Sequence, residues 1–155
     1  MRTIEALIAA TPLFAGLEPG HLELIAGCAR NDHAEGGTLL LREGEPAEHF
    51  YLIREGAVAL EVHSPGHGSI VIETLHAGDV VGWSWLFAPY RWQLDGRVLE
   101  LTRLVVFDGA CLRNKCEADH ELGYQLMRRF AGNLVDRLQA TRLQLLDVYG
   151  HAVTG

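Results

Sequence analysis

Hydrophobic and polar positions divide the chain into three stretches of different period. Residues 3–30 carry apolar side chains three or four positions apart, which is typical of helices, and Pro12 ends the first helical segment. Residues 31–108 hold short apolar runs between glycine turns, whereas residues 110–149 return to the helical period. The pattern predicts helices, then strands, then helices again, folded as a single domain over residues 1–155.

The middle stretch has the residue types and spacing of short antiparallel strands. Val58, Leu60 and Val62 alternate with neighbours that suit a solvated face, which indicates a strand with one buried side. A Ser-Pro-Gly turn at residues 64–68 separates this run from the next one. A succession of short strands and turns indicates a barrel or a sandwich, so the predicted fold class is α+β and mainly β.

A long apolar stripe runs along the C-terminal helical stretch. Because it is longer than a small barrel can cover, we expect a homodimer that pairs through residues 124–148, and we expect Phe130→Asp to separate the two copies. Folding of the helix back onto its own barrel is the alternative. The stripe has nearly the spacing of a coiled-coil seam and consists of Met127, Phe130, Leu134, Leu138, Thr141, Leu145 and Val148.

Charge and hydropathy exclude several classes of partner. The formal net charge of −7 argues against direct binding of nucleic acid, because phosphate contacts need a basic surface. No apolar run approaches the ~20 residues that cross a bilayer. The N-terminus also lacks the layout of a signal peptide. We therefore expect a cytoplasmic protein that contacts neither nucleic acid nor membrane.

The cysteines do not have the spacing of metal ligands. Cys28, Cys111 and Cys116 are an odd number and are interpreted as structural thiols, with Cys28 on one face of the second N-terminal helix. A cupin-type metal enzyme is a weaker alternative, but the chain has no His-x-His pair, and no metal site is expected. The residues that suggest this alternative are His63, His67, Glu73 and His76.

A glycine-rich run that ends at Arg91 has the composition of an anion site. Residues 75–91 combine Gly78 and Gly82 with a short apolar stretch. Backbone N–H groups and one guanidinium are the donors that an anion needs. No catalytic serine motif accompanies them. The layout therefore indicates a ligand sensor rather than an enzyme.

Several motifs occur in an order and spacing that is specific as a set. They are Pro12-Leu13-Phe14-Ala15-Gly16-Leu17, Gly36-Gly37-Thr38, Glu43-Gly44-Glu45-Pro46, Phe50-Tyr51-Leu52-Ile53-x-x-Gly56, Gly78-Asp79-x-x-Gly82 and Arg137-Leu138-Gln139-Ala140-Thr141. Over residues 12–148 the chain thus resembles the cyclic nucleotide-binding domain family of catabolite-activator-like bacterial regulators. The resemblance implies a jelly-roll β-barrel with N-terminal helices and a long C-terminal helix. It also implies a cassette in which helix-start N–H groups and one arginine hold a cyclic phosphate.

Tryptophans mark where the chain departs from that family's pattern. The family's Gly-Glu pair, which holds the ribose 2′-hydroxyl, reads Gly82-Trp83 here, and an indole accepts no hydrogen bond. Arg91 lies near the position of the phosphate-binding arginine, but Trp92 follows where the family has small side chains. The alternative for Arg91 is a surface arginine on a loop, or one that pairs with Asp95. Trp83 and Trp92 either form an aromatic wall for a flat ligand or close the pocket, whereas Trp85 is expected to belong to the core.

Two functions follow from these expectations. The first is a standalone regulatory module that requires no cofactor and senses a cyclic nucleotide or another small anionic or aromatic ligand, although it binds cyclic AMP weakly or not at all. The second is an interaction protein with a degenerate pocket that binds no nucleotide. The chain reaches Gly155 without a helix-turn-helix unit, so a regulator of this kind would act through a protein partner. The candidate ligand-binding residues are Gly82, Trp83, Ser84, Trp85, Arg91, Trp92 and Thr141, the last of which is also a seam candidate.

Overall fold

Two antiparallel sheets form the centre of the fold, and helices flank them. The computed structural model describes residues 3–154, with side chains described for residues 3–148. The mainly β α+β class and the long C-terminal helix are confirmed. The helices are α1 (Ile4–Ala9), α2 (Pro19–Ala26), α3 (Gly109–Ala118) and α4 (His120–Thr154), with 3-10 turns at Pro12–Phe14 and Ser84–Leu86.

The strands are distributed over two four-stranded sheets. Their orders are β1-β8-β3-β6 and β2-β7-β4-β5, and every pairing is antiparallel. This arrangement agrees with the expected jelly-roll-like barrel. The strands are β1 (Ala29–Ala34), β2 (Leu39–Leu41), β3 (His49–Glu55), β4 (Ala57–Ser64), β5 (Gly68–His76), β6 (Val80–Val81), β7 (Asp95–Val98) and β8 (Thr102–Asp108).

Two sequence predictions are wrong: where the N-terminal helical stretch ends, and which side chains of β4 are buried. The N-terminal helical stretch ends early, because α2 stops at Ala26 and β1 already pairs with β8 from Ala29. In β4, Ala59 is as buried as Val58 and Leu60, and Glu61 is buried too, whereas Val62 is only half-buried. Ala59 lies between Arg97 and Thr74 of the two neighbouring strands, so longer side chains cover it on the outer face. Pairings between distant segments cause both differences, and local periodicity does not report them.

Aromatic rings fill the core where the two sheets meet the helices. Phe50 stacks on Phe107 with ring centroids 4.4 Å apart and on Trp85 with centroids 4.5 Å apart. Phe130 of α4 meets Trp85 edge to face at 5.5 Å. Such stacked and edge-on pairs add to the gain from burial. The interpretation of Trp85 as a core residue is confirmed, since its side chain is fully buried.

The helix α4 packs on its own barrel along one face and exposes a second apolar face. Leu122, Leu126 and Phe130 are buried in the core, so Phe130 is not a member of an exposed seam as predicted. Met127 and Leu138 of the same predicted stripe are exposed. The helix has 35 residues, yet no helix of the described chain combines the length and the hydropathy needed to cross a membrane.

A disulfide joins Cys28 to Cys111, so the interpretation of both as structural thiols is wrong. The two residues are 83 positions apart, and their Cα atoms are 5.7 Å apart. Cys28 stands between α2 and β1, and its carbonyl accepts a 2.9 Å hydrogen bond from the N–H of Asp108, which caps α3. Pairing of β1 with β8 thus brings the cysteines together. Within the described residues Cys116 is a free thiol, and burial raises its pKa.

Candidate functional site

The cassette, residues 82–92, connects β6 of one sheet to β7 of the other. It begins at Gly82, whose φ of +94° lies in the left-handed region that favours glycine. A Cβ atom at this position would lie 2.6 Å from Cη2 and 2.7 Å from Cζ3 of Trp92. The backbone conformation and the approach of the indole therefore both require glycine here.

Trp92 packs beside Gly82 at the mouth of the barrel. Its side chain is 6% exposed. Its backbone is fixed to the turn at residues 43–46, because its N–H donates to the carbonyl of Glu45 at 3.0 Å and its carbonyl accepts from the N–H of Gly44 at 2.9 Å. These backbone bonds hold the indole against Gly82.

The space that remains at the mouth is small. The cavity measures about 30 Å³, whereas sites for small organic ligands have ~300–1,000 Å³. That volume holds about two water molecules. The lining includes four of the candidate residues and consists of Leu41, Leu60, Gly82, Trp83, Ser84, Trp92, Gln93 and Leu94.

Arg91 does not line this cavity. Its side chain is exposed, and its guanidinium donates a 2.8 Å hydrogen bond to the carbonyl of Gly44. Its backbone forms an isolated bridge with Pro46. The guanidinium therefore lies along the turn at residues 43–46, and the structure does not bring it together with the four candidates at the mouth.

Trp85 and Thr141 also lie outside the cavity. Trp85 belongs to the aromatic core, and its indole N–H has no hydrogen-bond partner. Thr141 is exposed on α4, where its hydroxyl donates to the carbonyl of Arg137 at 2.9 Å. This bond lies within the helix, as is usual for threonine in a helix interior. Whether any of the seven candidates contacts a ligand stays a prediction.

Two arginines of the C-terminal helices hold the cassette in place, and the sequence did not single them out for this role. Arg113 of α3 donates to the carbonyl of Trp85, and its guanidinium lies 4.3 Å from the ring centre of Tyr90. Arg137 of α4 lies 4.3 Å from the ring centre of Trp83. Cationic residues at helical spacing from an apolar stripe are the signal that could have indicated contacts with the indoles.

Arg137 also reaches the edge strand of the second sheet. Its Nη2 and Nε atoms donate to Oε2 of Glu73 in β5, at 2.6 and 3.1 Å. The Arg137 side chain is 14% exposed and that of Glu73 is 38% exposed, so the pair is partly shielded from water. The positive charge of Arg137 beside Trp83 is therefore balanced by the Glu73 carboxylate within the protein.

The residues of the cupin alternative do not converge. Register places Ser69 opposite His63 and Ala57 opposite His76, so these two histidines lie at opposite ends of the β4–β5 hairpin. Glu73 is committed to Arg137. Among the residues that the structure describes, no group of three or more His, Cys, Asp or Glu side chains could hold a metal ion.

Solved structures share this fold. A structure from Geobacter metallireducens GS-15, assigned as a cyclic nucleotide-binding protein, matches 89% of the chain and 99% of its own length, with a TM-score of 0.78 and 28% identity. The catabolite activator protein of Thermus thermophilus matches 87% of the chain and 62% of its own length, with a TM-score of 0.70 and 21% identity. The second likeness shows the fold alone.

Curated relatives are longer proteins of several kinds. A CRP-like cAMP-activated global transcriptional regulator of Mycobacterium tuberculosis is 24% identical over 152 residues, which is 98% of this chain and 66% of the regulator. The acetyltransferase Pat of Mycolicibacterium smegmatis is 35% identical over 75 residues, which is 48% of this chain and 22% of the acetyltransferase. A third relative is matched over 34% of its length. The chain thus spans less than two thirds of each.

The family itself is shown by a match to the middle of the chain. The matched residues, 32–119, include both sheets almost completely, the cassette and α3. This segment is more than half of the chain and carries most of the motifs that predicted the resemblance. The match is to the model of the cyclic nucleotide-binding domain, and the chain belongs to that family.

Proposed function

We propose that this chain is a regulatory module of the cyclic nucleotide-binding type whose nucleotide site is closed by its own indoles. The observation that carries the proposal is the seat of Trp92 against Gly82, which leaves a cavity of about 30 Å³. A second observation supports it, because Arg91 is bonded to Gly44 and lies outside the cavity. A module of this kind acts through its surfaces rather than by catalysis.

Titration calorimetry with cyclic AMP and cyclic GMP tests this proposal. We expect no saturable heat of binding at ligand concentrations up to about 1 mM. A dissociation constant of about 1 mM would correspond to a binding free energy of only ~4 kcal/mol. A submicromolar dissociation constant for either nucleotide would contradict the closed site. Trp92→Leu keeps an apolar side chain at this position and removes most of the indole, so it reports whether the ring itself is the obstacle.

A ligand other than a cyclic nucleotide is the second candidate. The polar side chains of Ser84 and Gln93 line the mouth together with Trp83, and Trp83 is half-buried rather than fully enclosed. A small anionic or aromatic molecule would have to displace Trp92 to enter. Native mass spectrometry of the purified protein tests this function, because a bound molecule appears as a fixed mass increment that denaturation removes.

We also propose that α4 is the surface through which the module acts, by pairing with a second copy. The exposed fractions of Met127, Leu138, Leu145 and Val148 are 43, 52, 55 and 65%, and these residues follow one side of the helix. Monomeric proteins rarely expose an apolar stripe of this length. Because large exposed apolar patches usually mark interaction sites, the stripe supports pairing through α4.

Light scattering at tens of micromolar tests the pairing. We expect a dimer for the unchanged chain and a monomer for Leu138→Asp, because a carboxylate in the seam would be buried without a partner. Gln139→Asp is the matched control, since it places the same charge on the exposed helix on the side away from the stripe. A monomer before substitution would overturn the pairing. Phe130→Asp is unsuitable, because Phe130 lies in the barrel's own core.

A further inference from the structure

We propose that Trp83, Arg137 and Glu73 form a clamp that sets how far α4 is docked on the barrel, using only groups of the chain itself. The three residues come from three different elements: the cassette, α4 and β5. The inference extends the proposed function, because α4 carries the surface through which the module is proposed to act. Its geometry does not depend on whether that surface pairs.

The contacts of the clamp are complementary in chemistry. The Arg137 guanidinium has its face over the Trp83 ring, with 4.3 Å from Cζ to the ring centre, and directs two of its nitrogens to one oxygen of Glu73. Arginine combines a flat face that stacks on indoles with an edge of N–H donors, which lysine does not. Arg137 is therefore satisfied on its face and on its edge at once.

The place of the clamp along α4 gives it a positional role. Of the side chains described in α4, Phe130 is the last that is fully buried, and Asn133, Leu134 and Arg137 are half-buried. Every described side chain from Leu138 to Val148 is exposed. Among the described side chains, Arg137 is thus the last one of α4 to be packed on the barrel, and the helix leaves the barrel directly after it.

Two independent sheets meet at this point. Trp83 directly follows Gly82, which ends the β6 side of one sheet, whereas Glu73 belongs to the edge strand of the other. A shift of the cassette therefore moves the Trp83 ring under Arg137, and a shift of the hairpin moves Glu73. The clamp transmits either displacement to α4, since a helix end is released when its last contact is lost.

Amide hydrogen exchange of the full chain tests the clamp. In Arg137→Ala we expect amides of residues 131–141 to exchange about tenfold faster, from the combined loss of a cation–π contact and charged hydrogen bonds. Alanine is the best helix former, so weaker intrinsic helicity does not account for faster exchange. Amides of residues 122–129, next to the buried Leu122 and Leu126, are expected to stay unchanged.

Arg142→Ala is the matched control, because it removes an exposed arginine from the same helix. Glu73→Gln and Trp83→Ala each remove one of the two contacts of Arg137. Each substitution is expected to raise the exchange rate less in the Arg137→Ala background than in the unchanged chain. Unchanged exchange in Arg137→Ala overturns the clamp, and so does an equal increase in Arg142→Ala. Light scattering in the same buffer separates the two proposals: faster exchange in a monomer keeps the clamp while the pairing fails.

Discussion

Gly82 and Trp92 constrain each other more tightly than any sequence pattern indicates. Both were candidate site residues, one for its glycine and the other for its ring, and the structure brings them into contact. Nine residues separate them in the sequence, and nothing in that loop reports that the indole turns back over the glycine. The sequence predicted a special cassette and left two alternatives open, an aromatic wall and a closed pocket, but it could not decide between them.

Gly82→Ala is expected to destabilise the fold by about 2–4 kcal/mol, because a left-handed alanine is strained and its Cβ overlaps the Trp92 ring. Urea denaturation measures the change. Gly20→Ala is the control, since no atom lies within 4 Å of a Cβ built at that glycine of α2. It should leave stability unchanged or raise it by up to about 1 kcal/mol. Equal changes in unfolding free energy for the two substitutions would argue against the packing of the Trp92 ring on Gly82.

At the scale of elements, α4 combines two roles that one heptad pattern described as a single seam. Phe130 and Leu138 both fit the predicted stripe, yet one is buried beside Trp85 and the other is exposed. Helical spacing reports which side chains share a face, but the barrel that covers the first half of the helix is made of distant strands. The existence of the helix was predictable, whereas the point at which it leaves the barrel was not.

Phe130→Ala should therefore lower the free energy of unfolding by about 3–5 kcal/mol, the usual cost of an emptied aromatic position in a core. Leu138→Ala should change the stability of the isolated subunit by less than about 0.5 kcal/mol, because its side chain is exposed. Chemical denaturation measures the stability of both variants, at a protein concentration too low for two copies to pair. Similar losses of unfolding free energy in the two variants would contradict the conclusion that α4 packs on the barrel before Arg137 and leaves it afterwards.

On the scale of the whole molecule, the family and the order of elements were predictable from motif spacing, and the long-range links were not. The Cys28–Cys111 disulfide is the clearest case, because β1 reaches β8 across most of the barrel's sequence before the sulfurs can meet. Three cysteines, an odd number without the spacing of metal ligands, gave no reason to expect a bridge. Pairing across such distances is decided by the sheet and not by local composition.

Reduction of this disulfide is expected to lower stability by roughly 2–5 kcal/mol, since the bond closes a long loop in the unfolded chain. Thermal melts with and without dithiothreitol measure the loss, and Cys28→Ser together with Cys111→Ser should reproduce it. Cys116→Ser should have little effect, because that thiol forms no bridge. A melting temperature insensitive to reductant would contradict a contribution of the bridge to folding.

The part of α4 that follows Arg137 has the geometry of a lever arm. From Leu138 to Thr154 the helix continues for 17 residues beyond Arg137, which at 1.5 Å per residue is about 25 Å. A tilt of about 10° at Arg137 therefore displaces the far tip by about 4 Å, more than half of one helical turn. If the proposed clamp sets this tilt, a small movement of the Trp83 ring is enlarged to a distance that a neighbouring molecule can detect.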